Sequence, residues 1–134
     1  DAVAAAATAQ AEAFARLAVD ETGYGVVDDK VKKNLFASQK VHGFIRPMKT
    51  VGVIARHADR GVVEIAEPFG VVAAIVPSTN PTSTAIYKIL IALKARCTIV
   101  ISPHPSAVGC ITRVAEVLDD AARRAGAPAA QSTG

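Results

Sequence analysis

The chain is expected to adopt an α/β fold: two N-terminal helices and a β-hairpin, followed by a βαβα unit with parallel strands. Three observations lead to this class. Residues 70–76, GVVAAIV, are nearly all apolar and stop at Pro77, as a strand buried on both faces does. Ile86, Ile89, Leu90 and Leu93 then recur at helical spacing and make a strongly apolar face. A second apolar run at residues 98–101 and a second helical pattern come next, and this alternation is that of a crossover between parallel strands.

Taken in order, residues 2–19 form a helix by propensity, with Phe14, Leu17 and Ala18 able to share one face. The sequence ETGYG at residues 21–25 breaks it. Asp28 is read as the N-cap of a second helix through Lys40, with Val31, Leu35 and Phe36 on its buried side. Gly43 and Pro47 end that region. Residues 50–56 and 61–66 are two β-rich runs around His57, Ala58, Asp59 and Arg60, with Gly61 closing the turn. Val51, Val53 and Ala55 alternate with Gly52, Ile54 and Arg56, so the pair reads as a hairpin. A hairpin beside an α/β unit suits subunit contact. After the strand at residues 70–76, Thr82 or Ser83 opens a helix to about Ala95. Residues 98–101 are the second buried strand, and SPHP at residues 102–105 is the loop after it. Ser106 caps a last helix to about Arg124, closed by Gly126 and Pro128.

Composition narrows the function classes. At 134 residues the length is that of one domain. A 51% apolar share supports a core, and 20% charged residues argue against disorder. With 15 basic and 12 acidic residues the net charge of +3 is too even for a nucleic-acid binder, and 4% aromatic residues without Trp leave little to stack bases on. Lys30, Lys32 and Lys33 form the only basic cluster; Asp28 and Asp29 precede it, and it reads as a solvated helix face. Asp119 and Asp120 read likewise. Cys97 and Cys110 make no disulfide framework and are expected as small buried hydrophobes; with no secretory signal, a reducing cytoplasm is the expected compartment. No run approaches the ~20 apolar residues of a membrane helix. His42 and His57 have no Cys or carboxylate at ligand spacing, so no metal is expected. Gly23 and Gly25 follow no strand and are not a dinucleotide fingerprint. The chain starts inside a helical pattern without an initiating Met and ends just after a helix stop, and is expected to be a piece of a longer protein.

The chemistry-bearing segment is STNPTST, residues 78–84, which crowds hydroxyls and an amide between Pro77 and the next helix. A polar cluster between a buried strand and a helix N-terminus is where open α/β sheets place ligands.

Three segments, ETGYGVVDDKVKKNLFAS (21–38), EPFGVVAAIVPSTNPTSTAIYK (67–88) and ISPHPSA (101–107), resemble the aldehyde dehydrogenase superfamily in order and spacing. They look most like its CoA-acylating branch, which includes acetaldehyde dehydrogenases and the dehydrogenase half of bifunctional aldehyde–alcohol dehydrogenases. The resemblance implies that residues 1–134 are the N-terminal part of a Rossmann-like NAD-binding domain, with an oligomerisation hairpin at residues 50–66 and the catalytic domain absent. It implies a homo-oligomer, a small aldehyde as substrate, NAD as cofactor (with NADP left open) and coenzyme A as co-substrate. In that chemistry a thiolate attacks the aldehyde, hydride leaves for the nicotinamide, and CoA takes the acyl group. The family's nucleophilic cysteine lies downstream of Gly134, and neither Cys97 nor Cys110 matches it, so this piece alone is expected to be inactive. A non-acylating aldehyde dehydrogenase and a non-catalytic nucleotide-binding or oligomerisation module are the alternatives.

The resemblance also assigns residues. The family's loop reads Pro-Trp-Asn-Phe-Pro; here it is Pro77-Ser-Thr-Asn-Pro81. Asn80 is expected to donate to the developing oxyanion. An ungapped match puts Thr79 under the family's Asn, so the role needs a one-residue shift, and an Asn80 that satisfies the turn and caps the helix is the competing reading. Pro77, Ser78, Thr79, Asn80, Pro81, Thr82, Ser83 and Thr84 are all expected around the cofactor, though helix capping would also use the hydroxyls. Pro77 and Pro81 hold the loop shape. Ser102 stands where the non-acylating branch has a ribose-binding Lys, and Pro105 where it has an acidic residue. The adenosine ribose would then be held through Ser102, His104 or backbone, which favours the acylating branch. His104 either meets the adenosine or a CoA phosphate or is an ordinary surface histidine.

Overall fold

The computed structural model describes residues 1–128. The Ala-rich start is two helices, α1 (Ala2–Ala9) and α2 (Ala11–Thr22), rather than one, interrupted at Gln10 with φ −101° and ψ 8°. Propensity favours helix throughout this stretch and gives no signal for the break. Both helices reach the core, through Val3, Ala4 and Ala7 on α1 and Phe14, Ala15 and Ala18 on α2. Leu17, expected inside, is 41% exposed. Gly23 ends α2 in the left-handed region at φ +69°, where a side chain would be strained.

The next helix starts one residue before Asp28. It is α3 (Val27–Leu35), with Val26 as N-cap and no side-chain cap, and Asp28 and Asp29 lie in its first turn, where they favour the helix dipole. It passes without a break into a π-helical stretch (Phe36–Val41) and a last turn, α4 (His42–Ile45), so Gly43 sits inside helix. Its buried side is not the expected one: Phe36 is 61% exposed, while Lys30, Asn34, Ala37 and Ser38 are buried. The expected face is off by one residue because Lys30, Asn34 and Ser38 are polar and each has a hydrogen-bond partner, so hydrophobicity does not mark them.

Strands β1 (Gly52–His57) and β2 (Val62–Ala66) form the expected antiparallel hairpin, with Gly61 at φ +64° in the turn. The strict alternation fails at one place, where the register shifts between Val53 and Ala55 and leaves Ile54 as a bulge. Thr50 donates to the carbonyl of Lys94 (2.6 Å), which ties the start of the hairpin to the far end of the helix over Pro81–Lys94. Ile54, Val62, Val63 and Ile65 remain exposed.

Strands β3 (Val71–Val76) and β4 (Thr98–Pro103) are parallel neighbours, joined by α5 (Pro81–Lys94) and followed by a 3₁₀ turn (Pro105–Ala107) and α6 (Val108–Arg124). This is the expected Rossmann-like βαβα unit. The strands are covered on one face only: Ala74 and Val76 are buried, whereas Val71, Ile75 and Val100 point out at 58–76% exposure. An apolar run reports that both faces suit burial, and only one of them has a cover among the described residues. The core lies under the other face, where Val76, Ile86, Ile111, Val114 and Leu118 meet Phe14 and the small side chains of α1. On α5, Leu93 falls at the margin of this core with 38% exposure. No helix among the described residues is long and apolar enough to cross a membrane.

One side chain joins α2 to α6. The Glu21 carboxylate accepts from the amides of Gly109 (2.7 Å) and Cys110 (2.6 Å), capping α6 from α2. Ser106, read as that cap, instead donates its amide to His104 Nδ1. Burial opposes ionisation of Glu21, but the amides of Cys110 and Gly109 outweigh it and hold the carboxyl below its ordinary range. Its stabilisation is therefore present above the unfolded carboxyl pKa and is lost as pH falls through the lowered folded value. In the full-length polypeptide, Glu21→Ala should cost about 1 kcal/mol near neutral pH. The gap from the parent should close below the ordinary glutamate range in pH-resolved melting, and a gap independent of pH would refute the cap.

Candidate functional site

The carboxyl ends of β3 and β4 lie side by side. Ile75 pairs with Ser102 and Val76 with Pro103, and the His104 amide donates to the Val76 carbonyl (2.9 Å). The loop of residues 77–80 and the turn at His104 therefore leave the sheet next to each other, at the carboxyl ends of its parallel strands, the end at which open α/β sheets bind ligands. Pro81 opens α5 at its first position, where a missing N–H costs nothing. Asn80 is the N-cap residue by position, at φ −138° and ψ 60°; its carbonyl accepts from Thr84, but its side chain makes no cap bond.

That side chain turns to α3 instead. Lys33 Nζ donates to Asn80 Oδ1 at 2.8 Å, and Lys30 Nζ donates to the Thr79 carbonyl at 2.9 Å. Two of the three lysines read as a solvated face thus hold the loop, and Lys30 is only 5% exposed. Burial, with the like charge of Lys33 beside it, pulls the Lys30 ammonium below its ordinary range. Behind this pair runs a buried polar chain. Thr82 Oγ1 donates to Asn34 Oδ1 (2.9 Å), and Asn34 Nδ2 donates to the Ala11 carbonyl (2.9 Å).

The sequence-identified residues accordingly divide. Pro77 and Thr79 are exposed, and Ser78, Asn80 and Ser83 are half-buried at the loop surface. Pro81, Thr82 and Thr84 are buried, and the Thr82 hydroxyl is committed to Asn34. Ser102 is exposed at the end of β4. His104 is exposed, and its Nδ1 takes the Ser106 amide (3.2 Å) and meets the Ser106 hydroxyl (2.7 Å), so a neutral ring carries its proton on Nε2. Sequence reasoning missed Lys30, Lys33, Asn34 and Glu21. The available signal was that residues 30, 33, 34 and 37 share one helix face, which mixed polarity hides from a hydrophobic pattern.

Lys88 Nζ donates to the Ile75 carbonyl (2.6 Å) near the end of β3, and several other ionisable groups lie away from the loop. Cys110 is buried in α6; burial first, then the nearby Glu21 carboxylate, pushes its thiol up to about 12. Cys97 is buried just before β4. His42 lies 3.2 Å from Asp1, and His57 lies 2.6 Å from Glu64 on the hairpin. Asp119 pairs with Arg123 (2.7 Å) and Asp120 with Arg124. Among the described residues no three His, Cys, Asp or Glu side chains converge as a metal site. Two surface hollows also lie away from the loop, one bordered by Asp1, His42, Arg46 and Lys94, the other apolar beneath Phe69 and Ile91.

The buried chain makes a specific stability prediction. Thr82→Val keeps shape but strips Asn34 Oδ1 of its donor, and should cost about 1–3 kcal/mol in the melting of the full-length protein. Thr82→Ser should stay near the parent. Equal stability of the valine variant would show that Asn34 has another donor.

Comparison with known proteins gives one consistent family. The sequence model of the aldehyde dehydrogenase family matches residues 1–130. The chain is 48% identical over 127 residues to the bifunctional aldehyde-alcohol dehydrogenase AdhE of Escherichia coli (strain K12), which covers 92% of this chain and 14% of that protein. An acetylating aldehyde dehydrogenase from Geobacillus thermoglucosidasius has a similar structure, with a TM-score of 0.93 and 54% identity over 95% of this chain and 28% of its own. A propionaldehyde dehydrogenase of Rhodopseudomonas palustris, solved with bound propionyl-CoA, aligns at a TM-score of 0.77 and 34% identity over 88% of this chain and 25% of its own. The chain thus spans between about a seventh and a little over a quarter of these relatives.

Proposed function

The chain belongs to the aldehyde dehydrogenase family, and we propose on that premise that it is the N-terminal part of the NAD-binding domain of a CoA-acylating enzyme. The full-length polypeptide would convert a small aldehyde, CoA and NAD into acyl-CoA and NADH. The observation that carries this is the close likeness, in sequence and backbone, to an acetylating aldehyde dehydrogenase over nearly the whole chain. Ser102 in the ribose position supports the acylating branch, as does the propionyl-CoA held by the similar Rhodopseudomonas palustris protein.

The roles follow from the loop. Thiolate attack on an aldehyde moves negative charge onto the carbonyl oxygen, and a preorganised N–H donor there lowers the barrier. Asn80 fits that role better than Thr79, because its oxygen is taken by Lys33 and its Nδ2 makes no bond among the described residues. The thiolate comes from another part of the full-length polypeptide: Cys97 and Cys110 are buried, and the Cys110 thiol resists ionisation. The loop after β3 and the turn at His104 would hold NAD, which would supply the hydride acceptor. Pro77 and Pro81 shape the loop, Ser78, Thr79 and Ser83 offer hydroxyls at its surface, and Ser102 Oγ with His104 Nε2 would hold the adenosine ribose. Pro81, Thr82 and Thr84 would act from beneath, by fixing the start of α5. The exposed apolar residues of the hairpin support a homo-oligomeric contact through residues 50–66, and the uncovered face with Val71, Ile75 and Val100 supports burial by the rest of a larger domain.

NAD reduction by the full-length polypeptide with acetaldehyde or propionaldehyde should require CoA. Equal turnover without CoA would assign the non-acylating chemistry instead. In the same protein Asn80→Ala should slow acyl-enzyme formation by about 10²–10³-fold while cofactor affinity holds. A loss below about threefold in the NADH burst would remove Asn80 from the oxyanion role.

A further inference from the structure

We propose that Lys33 is a positioning residue that sets which end of the Asn80 amide faces the reacting carbonyl. The inference rests on the reading of Asn80 as oxyanion donor. An Asn amide has two ends of nearly equal shape and opposite function. Turned one way it donates two N–H groups; turned the other way it presents an oxygen, which would repel a developing oxyanion. Something must decide between them, and at Asn80 the deciding contact is the 2.8 Å bond from Lys33 Nζ to Oδ1. An ammonium has donors only, so it can face the oxygen and never the NH2 group. With Oδ1 held against α3, Nδ2 lies at the opposite end of the amide and is left to donate.

The surroundings hold the chain on either side of Asn80. Lys30, one turn earlier on α3, holds the carbonyl of Thr79, the peptide that leads into Asn80. Asn34, next to Lys33, takes the Thr82 hydroxyl just beyond it. Residues 30, 33 and 34 of one helix thus grip residues 79, 80 and 82 in order. Pro81 fixes the backbone that follows Asn80. The Lys33 charge also polarises the amide, which strengthens its N–H groups as donors. Lys33 is exposed and makes no ion pair among the described residues, so its side chain is free for this contact and its replacement leaves the core intact.

The test is a double-mutant cycle in the full-length enzyme, read as the rate of the NADH burst with acetaldehyde and CoA. Lys33→Met should slow the burst by about tenfold with KM for aldehyde and NAD within about twofold of the parent. Lys33→Arg, also a pure donor, should recover most of that loss. Lys33→Glu, a pure acceptor, should turn the amide around and fall below the methionine variant. In an Asn80→Ala background all three substitutions should change the burst by less than about twofold. Equal melting temperatures of the Lys33 variants separate this from misfolding. A Lys33 effect that persists undiminished without the Asn80 amide would overturn the proposal and make Lys33 a direct electrostatic contributor. A costly Asn80→Ala with a silent Lys33→Met would also overturn it while leaving the oxyanion reading intact. A silent Asn80→Ala would instead refute the oxyanion reading, and the positioning role with it.

Discussion

The geometry of the candidate site depends on one polar seam, the line of contacts by which α3 grips the loop after β3. A strand end and a helix start joined by a short polar loop have many accessible shapes, and nothing in the loop's own hydroxyls selects one. The seam selects it. Lys30 and Lys33 fix two consecutive residues of the loop, and Asn34 takes the Thr82 hydroxyl at the first turn of α5 while donating to the end of α1's connection to α2 at Ala11. A buried ammonium and a buried amide are costly unless each finds partners, so the folded chain has little freedom to place the loop elsewhere. The cost of burial becomes positional accuracy at the surface.

The two helix N-termini at the carboxyl end of the sheet are treated differently. The start of α6 is closed by the Glu21 carboxylate, which fills the place an anionic ligand would take and fastens α2 to the second half of the fold. The start of α5 has proline at its first position and no side-chain cap from Asn80. One helix end thus serves stability, while the other borders the candidate site. His104, between them, is fixed through Nδ1 by its neighbour Ser106 and keeps Nε2 for other partners.

The rest of the molecule is a support whose outer surfaces stay apolar. Small side chains on α1 let it lie close to α6, and Phe14 plugs the same core. By contrast, the outer side of β3 and β4 and much of the hairpin carry Val and Ile into solvent. A two-stranded sheet with one bare face, and a two-stranded ribbon that packs chiefly on itself, are marginal alone. Both features fit a unit that is completed by further protein.

The sequence by itself determined the α/β class, the parallel strand pair, the hairpin and the loop that carries the polar cluster. Each rests on short-range signals: unbroken apolar runs, a period of about 3.6, and Gly or Pro at the breaks. It also pointed to the family, through motifs whose residues are close in the chain. What only the tertiary structure decided is which polar groups face inward. Lys30 and Asn34 look like any solvated helix positions until Thr79, Thr82 and Ala11 arrive from 23 to 49 residues away to satisfy them. The break at Gln10, the π-helical stretch at Phe36–Val41 and the capping of α6 by Glu21 likewise came from the tertiary structure and not from the sequence. Hydrophobic periodicity reports burial only when burial is apolar. Where a buried face is polar and satisfied at long range, the partner that permits it is absent from the local sequence, and the fold alone reveals it.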